Sequence, residues 1–169
     1  MSQDKVPVRD MGMIAKPLRL VCVGKVRTSY WKDACAEYVK RLARFRRFEV
    51  VEVKDAEQVK DTQKRIETEG RRLLEALDKS DRVIVLDERG RDCTSQELAG
   101  RLDSWDALGQ GRITFVIGGP FGLSEEVRKR AFFLLRLSAM TMPHELARVV
   151  LTEQLYRAES IRAKVPYHH

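Results

Sequence analysis

Residues 112–124, RITFVIGGPFGLS, join an apolar run, a glycine-rich loop and a helix-start signal. The run over residues 112–117 has the length and the β-branched content of a strand that is buried on both faces. The three glycines that follow let the backbone turn tightly and approach a ligand closely. Ser124, with two glutamates after it, is placed to cap a helix. The segment therefore predicts a strand–loop–helix unit of an α/β sheet.

The same alternation of apolar runs and amphipathic stretches extends in both directions from this segment. The stretch 87–90 has the composition of a turn-like loop, and Thr94 with Glu97 matches a capping box at the start of a helix. The other predicted strands cover residues 18–23, 48–53, 82–86 and 132–137, and the other predicted helices cover 31–45, 57–77, 94–108 and 144–164. Strands that alternate with helices predict an α/β fold, with a mostly parallel sheet flanked by helices.

Length and composition limit the class of protein. The chain has 169 residues, enough for one domain, which we expect over residues 18–169 after an irregular extension over 1–17. A hydrophobic content of 43% argues against a disordered chain, and a net charge of +7 favours a polyanionic partner such as a nucleic acid. No apolar run is long enough to span a membrane, and no signal peptide is evident, so we expect a cytoplasmic protein.

Metal and disulfide chemistry are not indicated by the cysteines. Cys22, Cys35 and Cys93 are odd in number and widely spaced, and no C-x-x-C pair occurs. We therefore expect three reduced thiols and no metal site.

The candidate binding segments follow predicted strands. The glycine loop lacks the G-x-G-x-x-G and P-loop patterns, so it is either a plain turn or a site for another ligand. Residues 138–143 combine small and apolar side chains and lead into Pro143 and His144, which suits either a helix start or a ligand loop. His168 and His169 end the chain, where a frayed tail is the alternative to a functional imidazole.

Basic residues form two clusters whose role is open between a solvated face and RNA contact. Within the apolar last helix, Arg148 and Arg157 need carboxylate partners, for which Glu153 and Glu159 are candidates. The two clusters consist of Lys40, Arg41, Arg44, Arg46 and Arg47, and of Arg128, Lys129, Arg130 and Arg136.

Eight segments, in order along about nine-tenths of the chain, carry a resemblance to a known family. They are LRLVCVGK (18–25), EYVKRL (37–42), LDERG (86–90), IGGPFGL (117–123), SAMTMPH (138–144), RV (148–149), EQLYRA (153–158) and YH (167–168). Together they resemble the ribosomal large-subunit RNA pseudouridine N3-methyltransferases of the SPOUT superfamily.

The resemblance implies a C-terminal deep trefoil knot, which the connection rules would not have predicted. It also implies a homodimer with the last helix at the interface, and methylation of N3 of a pseudouridine in ribosomal RNA within the assembled ribosome. The cofactor implied is S-adenosylmethionine, without a metal. Its implied binding residues are Leu86, Gly118, Gly119, Ser138, Ala139, Met140, Thr141, Met142 and Pro143.

The resemblance also implies which residues act on the substrate. His144 and His168 would handle a proton or position the base, and Arg157 and Tyr167 would orient the base or shape the site. Three features depart from the family pattern. His169 replaces a usual terminal Arg or Lys, Phe121 replaces a commonly polar residue, and residues 1–17 precede the usual start. Two alternatives remain: a non-catalytic RNA-binding protein with this fold, and a SPOUT enzyme that acts on another RNA such as transfer RNA.

Overall fold

The computed structural model describes residues 16–167, and the predicted extension and the terminal histidines lie largely outside that range. Strands and helices alternate along the whole of this part, as the sequence predicts. The elements are β1 (Leu18–Val23), α1 (Ser29–Leu42), β2 (Phe48–Val53), α2 (Thr62–Glu75), β3 (Arg82–Arg91), α3 (Ser95–Ala107), β4 (Ile113–Ile117), α4 (Glu125–Arg130), β5 (Phe133–Leu135) and α5 (His144–Arg162).

The five strands form one sheet in the order β2-β1-β4-β3-β5, and every pairing is parallel. The prediction of a mostly parallel sheet flanked by helices is confirmed. Since all strands run the same way, all of their carboxyl ends lie along one edge. That edge is where open α/β sheets bind ligands.

Helices cover both faces of the sheet, which explains why most strands are apolar without alternation, whereas the edge strand β2 alternates. Leu20 and Phe115 face one layer, formed by α1, α3 and α5, which contributes residues such as Leu155. Val21 and Val116 face the opposite layer, formed by α2 and α4. Residues next to each other in one strand thus belong to different cores.

Strand β3 is longer than the sequence predicts. Residues 87–90 were expected to form a turn, but the strand continues to Arg91, with an irregularity in its pairing to β5 after Leu86. The segment directly after β5 supplies a hydrogen bond to this extension: Arg136 donates its N–H to the carbonyl of Arg91 at 3.0 Å. Gly90 lies so close to β5 that a Cβ there would stand 2.6 Å from the carbonyl carbon of Leu135.

Helix boundaries follow their capping residues. Thr94 and Glu97 form the expected capping box, and the Ser124 hydroxyl accepts a hydrogen bond from the N–H of Val127. Helix α2 begins later than predicted, because Asp61 caps it by accepting from the N–H of Lys64 at 2.8 Å.

All three cysteines are free thiols. Burial raises the pKa of the Cys22 thiol to about 12, and burial also raises the pKa of Cys35 and of Cys93. None therefore has the depressed pKa of a nucleophilic cysteine. Within residues 16–167, no helix is long and apolar enough to cross a membrane, and no three His, Cys, Asp or Glu side chains group to hold a metal ion.

Candidate functional site

Three of the predicted binding segments meet at the carboxyl edge of the sheet. Leu86 lies in β3, the glycine loop follows β4, and residues 138–143 come after β5. These strands are direct neighbours in the order β4-β3-β5. The structure thus brings together the segments that the family resemblance assigns to the cofactor.

An arginine ties two of these segments together. Arg128, on α4, donates from Nε to Oδ2 of Asp87 at 2.7 Å and from Nη1 to the carbonyl of Leu123 at 2.8 Å. Asp87 directly follows Leu86, and its other oxygen accepts the N–H of Arg89 at 2.8 Å. The largely buried Arg128–Asp87 ion pair therefore fixes the end of the glycine loop relative to β3.

The glycine loop has no room for side chains at two positions. A Cβ on Gly118 would stand 2.8 Å from Cδ2 of Leu123, and a Cβ on Gly119 would stand 2.5 Å from Oε2 of Glu69. Gly122 has φ of +96°, a conformation that favours glycine. Close packing and backbone conformation thus both require the glycines that the sequence places here.

Residues 138–143 form an irregular loop with exposed side chains. Met140 is 80% exposed. The loop has little internal bonding, but the Ser138 hydroxyl accepts the N–H of Met140 at 3.0 Å. Its backbone groups are therefore available to a ligand, as the resemblance implies.

His144 is the first residue of α5 and lies directly after this loop. Burial lowers its pKa below the ordinary value, and the neighbouring Arg148 cation lowers it further. The imidazole is therefore neutral at neutral pH and able to accept a proton.

Arg148 is buried and bonds to the end of β1. Its Nη2 donates to the carbonyls of Val23 and Gly24 at 2.6 and 2.7 Å, and its Nη1 pairs with Glu52 at 3.2 Å. The sequence suggested a carboxylate on its own helix, but the partner lies on β2. Backbone carbonyls of a distant strand offered no sequence signal.

The predicted residues Arg157 and Tyr167 form a second cluster. Glu153 accepts from Nη2 of Arg157 at 2.7 Å and from the hydroxyl of Tyr167 at 2.9 Å. The guanidinium of Arg157 also stacks 3.9 Å from the centre of the Tyr167 ring. Burial and the bond to Glu153 raise the pKa of Tyr167 to about 12, so its hydroxyl remains a donor.

The tail folds back along α5 because of its C-terminal cap. Lys164 has φ of +55°, and the N–H of Val165 donates to the carbonyl of Ser160 at 3.0 Å. This is the pattern of a Schellman cap, which reverses the chain direction. His168, the next residue after Tyr167, lies outside the described residues.

Within one chain, His144 and the Arg157–Tyr167 cluster do not lie together. Glu153 is nine residues after His144 on the same helix. At 1.5 Å per residue and 3.6 residues per turn, they stand about 14 Å apart along the axis and about 180° apart around it. The cofactor-loop histidine and the Arg157–Tyr167 cluster therefore face opposite sides of α5.

Some residues of the basic clusters are structural. Arg46 is only 4% exposed and pairs with Asp106 at 2.7 Å, so it is a structural residue rather than part of an RNA surface. Arg136 likewise pairs with Asp92. By contrast, the ten lysines within residues 16–167 are all exposed, and none forms an ion pair in that part of the chain. All of these lysines thus offer positive charge to a partner, as does the exposed Arg44.

Glu69 is a site residue that the sequence reasoning missed. It lies on α2, which was interpreted as a charged surface helix, yet its side chain is buried against Gly119. The only sequence signal was its spacing of four residues from Arg65, which donates to it at 3.0 Å. That spacing is also typical of exposed helix pairs.

A cavity of about 400 Å³ opens beside this edge, between α1, β2 and α5. Its walls include Lys25, Cys35, Val50 and Arg148. None of the predicted cofactor residues lines it, so we do not assign the cofactor to it.

The fold and its loop cluster are consistent with a methyltransferase, and comparison with known proteins gives that class. The chain belongs to the SPOUT methyltransferase family, because a family model described as "Predicted SPOUT methyltransferase" matches residues 17–168. A relative from Desulfovibrio desulfuricans, named ribosomal RNA large subunit methyltransferase H, is 52% identical over 93% of this chain and 100% of its own length. Proteins of the same name from Maridesulfovibrio salexigens and Lactobacillus delbrueckii are 45% and 42% identical, over 90% and 89% of this chain and 97% and 98% of theirs.

A solved structure shares the fold. The crystal structure of a probable methyltransferase from Bordetella pertussis matches with a TM-score of 0.55 at 16% identity, over 86% of this chain and 96% of that one.

Proposed function

We propose that this enzyme transfers a methyl group from S-adenosylmethionine to N3 of a pseudouridine in large-subunit ribosomal RNA. The substrate class follows the name shared by relatives that are 42–52% identical. The observation in this chain that carries the proposal is His144, a neutral imidazole placed directly after the cofactor loop. We also propose that the assembled ribosome, in the cytoplasm, is the substrate, since so small a protein has little surface for reading RNA by itself.

The three loop segments fit an S-adenosylmethionine site. Leu86, Gly118, Gly119 and residues 138–143 would hold the cofactor, largely through backbone groups. The glycines pack against Leu123 and Glu69 with no space for a Cβ, which fixes the loop backbone that would face the ligand. The exposed Met140 would be covered when the site is filled.

The chemistry requires that the methyl group and N3 are aligned, that the N3 proton is removed, and that the negative charge on the carbonyls beside N3 is stabilised. When bound, the cofactor supplies an activated methyl group, so no metal is required. The imide N3–H is a weak acid, and His144 would accept its proton. Arg157 would place its positive charge against a carbonyl beside N3, Tyr167 would hold the base, and His168 would enter the site with Tyr167.

We propose that the site is completed across a homodimer with α5 at the interface. His144 and the Arg157–Tyr167 cluster face opposite sides of the helix, so a second copy must bring them together if both act on one base. Mixing His144→Ala with Arg157→Ala subunits tests this arrangement. Random exchange makes half of the dimers mixed, each with one intact site of two, so about a quarter of wild-type activity should return. No recovery in verified mixed dimers would contradict it.

The trefoil knot is likewise part of the proposal, within one methyltransferase domain over residues 18–169. Membership of the SPOUT family supports it. Slow refolding from urea that stays slow in a variant without prolines would agree with knotting.

RNA would bind through exposed lysines and through the glycine loop. Phe121, in the glycine loop, is 51% exposed, and the guanidinium of Arg65 lies 5.0 Å from its ring centre. An exposed aromatic ring beside the site suits stacking on an unpaired base. Phe121→Ala should weaken RNA binding without changing cofactor affinity, as measured by filter binding and calorimetry.

The deciding experiment measures transfer of labelled methyl groups from S-adenosylmethionine to ribosomes that lack the modification. Naked ribosomal RNA and transfer RNA serve as parallel substrates, and His144→Ala as a matched inactive variant. Label at N3 of a pseudouridine in large-subunit RNA is the expected result. Label only in transfer RNA would favour the alternative SPOUT substrate, and RNA binding without cofactor binding would favour a non-catalytic protein.

A further inference from the structure

One oxygen of the Glu69 carboxylate is buried and without a hydrogen-bond partner. The residue is 1% exposed, and Oε2 has no donor within the described structure. The other oxygen, Oε1, accepts from the N–H of Ala56 and from Nε of Arg65, each at 3.0 Å. An unpaired carboxylate oxygen in a buried position is costly, so it points to a missing partner.

The unpaired oxygen is directed at the glycine loop. A Cβ on Gly119 would stand 2.5 Å from Oε2, so the carboxylate lies directly against that residue. Glu69 also acts on the other side of the site, where its negative charge partly offsets the lowering of the His144 pKa by burial and Arg148. The carboxylate thus lies against the glycine loop and close enough to His144 to act on its charge.

We propose that Oε2 of Glu69 binds a positively charged group of the methyl donor. This inference rests on the proposed function. The donor carries two such groups, its sulfonium centre and its α-ammonium group. Either would supply the charge that the buried oxygen lacks. Arg65 and Ala56 hold the carboxylate in place through the opposite oxygen, so it is positioned before the ligand binds.

Calorimetric titration of Glu69→Gln with three ligands tests the proposal. S-adenosylmethionine carries both charges, S-adenosylhomocysteine keeps only the ammonium, and 5′-methylthioadenosine has neither. Loss of a charge-assisted contact should weaken S-adenosylmethionine binding by about 10- to 100-fold. Weakened S-adenosylhomocysteine binding would identify the ammonium as partner, and unchanged S-adenosylhomocysteine binding would identify the sulfonium. In both cases 5′-methylthioadenosine binding stays unchanged.

Equal effects on all three ligands, or no effect on any, would overturn the proposal. Glu67→Gln is the matched control, because Glu67 is exposed on the same helix and accepts from Gln63. If Glu69→Gln does not fold, Glu69→Asp keeps the charge but withdraws it from the loop, and it should weaken only the charged ligands. Wild-type protein that fails to bind S-adenosylmethionine would instead contradict the proposed function.

Discussion

Replacing Gly119 with alanine tests how tightly the glycine loop packs on α2. The new Cβ would stand 2.5 Å from Oε2 of Glu69. The carboxylate is not free to move, because Oε1 accepts hydrogen bonds from the backbone N–H of Ala56 and from Nε of Arg65, each at 3.0 Å. Overpacking costs about 1–3 kcal/mol. A hydrogen bond to a charged group contributes about 1.5–3 kcal/mol, and straining it loses part of that amount. We therefore expect the free energy of unfolding to fall by about 2–4 kcal/mol.

A double-mutant cycle with Glu69→Ala isolates this contact. Urea unfolding at one fixed protein concentration gives the free energy of each variant. Without the Glu69 side chain, Gly119→Ala should cost less than about 1 kcal/mol, so the two changes should couple by at least about 1 kcal/mol.

Gly100→Ala is the matched control for this cycle. Gly100 lies in α3, and a Cβ there meets nothing within 4 Å. The substitution should stabilise both backgrounds equally, by about 0.5–1 kcal/mol. If Gly119→Ala and Glu69→Ala add within about 0.5 kcal/mol, the reasoning about this contact is refuted.

Three further predictions concern the proton acceptor, a buried ion pair and the tail. The rate of methyl transfer at low RNA concentration should fall as pH drops through the lowered pKa of His144, because protonation removes the base. In His144→Gln this fall in rate at low pH should be absent. Arg46→Ala should lower the free energy of urea unfolding by about 1.5–3 kcal/mol, since it removes the two hydrogen bonds of a buried guanidinium to Asp106, which still keeps Arg162 as a partner. A change under about 1 kcal/mol would contradict the assignment. Tyr167→Phe removes the hydroxyl bound to Glu153, so kcat/KM for ribosomes should fall about tenfold while calorimetry shows unchanged cofactor affinity.

Signals between near neighbours in sequence predicted most of the elements. Apolar runs identified four strands and alternation identified β2. Caps such as Thr94 and Ser124 marked helix starts, because capping bonds join residues only three apart. The error over residues 87–90 has a non-local cause. Composition favours a turn there, but hydrogen bonds from the segment after β5 extend β3.

Partners of buried charges were the least predictable feature. Arg148 was expected to pair with a carboxylate on its own helix, and instead it bonds to the end of β1 and to Glu52. Arg46 belonged to a cluster considered for RNA contact, and it is buried against Asp106. In each case the partner is many residues away, so only packing reveals it.

By itself, the sequence determined the alternation of strands and helices, the helix caps and the segments able to carry chemistry. These depend on hydrophobic periodicity and on hydrogen bonds between residues that are close together in the sequence. Tertiary structure alone decided that Leu86, the glycine loop and residues 138–143 share one edge, because strand order is set by pairing between distant segments. It also decided that Glu69 is buried beneath Gly119, and that His144 and Tyr167 lie on opposite sides of α5. The burial of a side chain and the side of a helix on which it lies depend on how the whole chain packs, and no local sequence pattern specifies them.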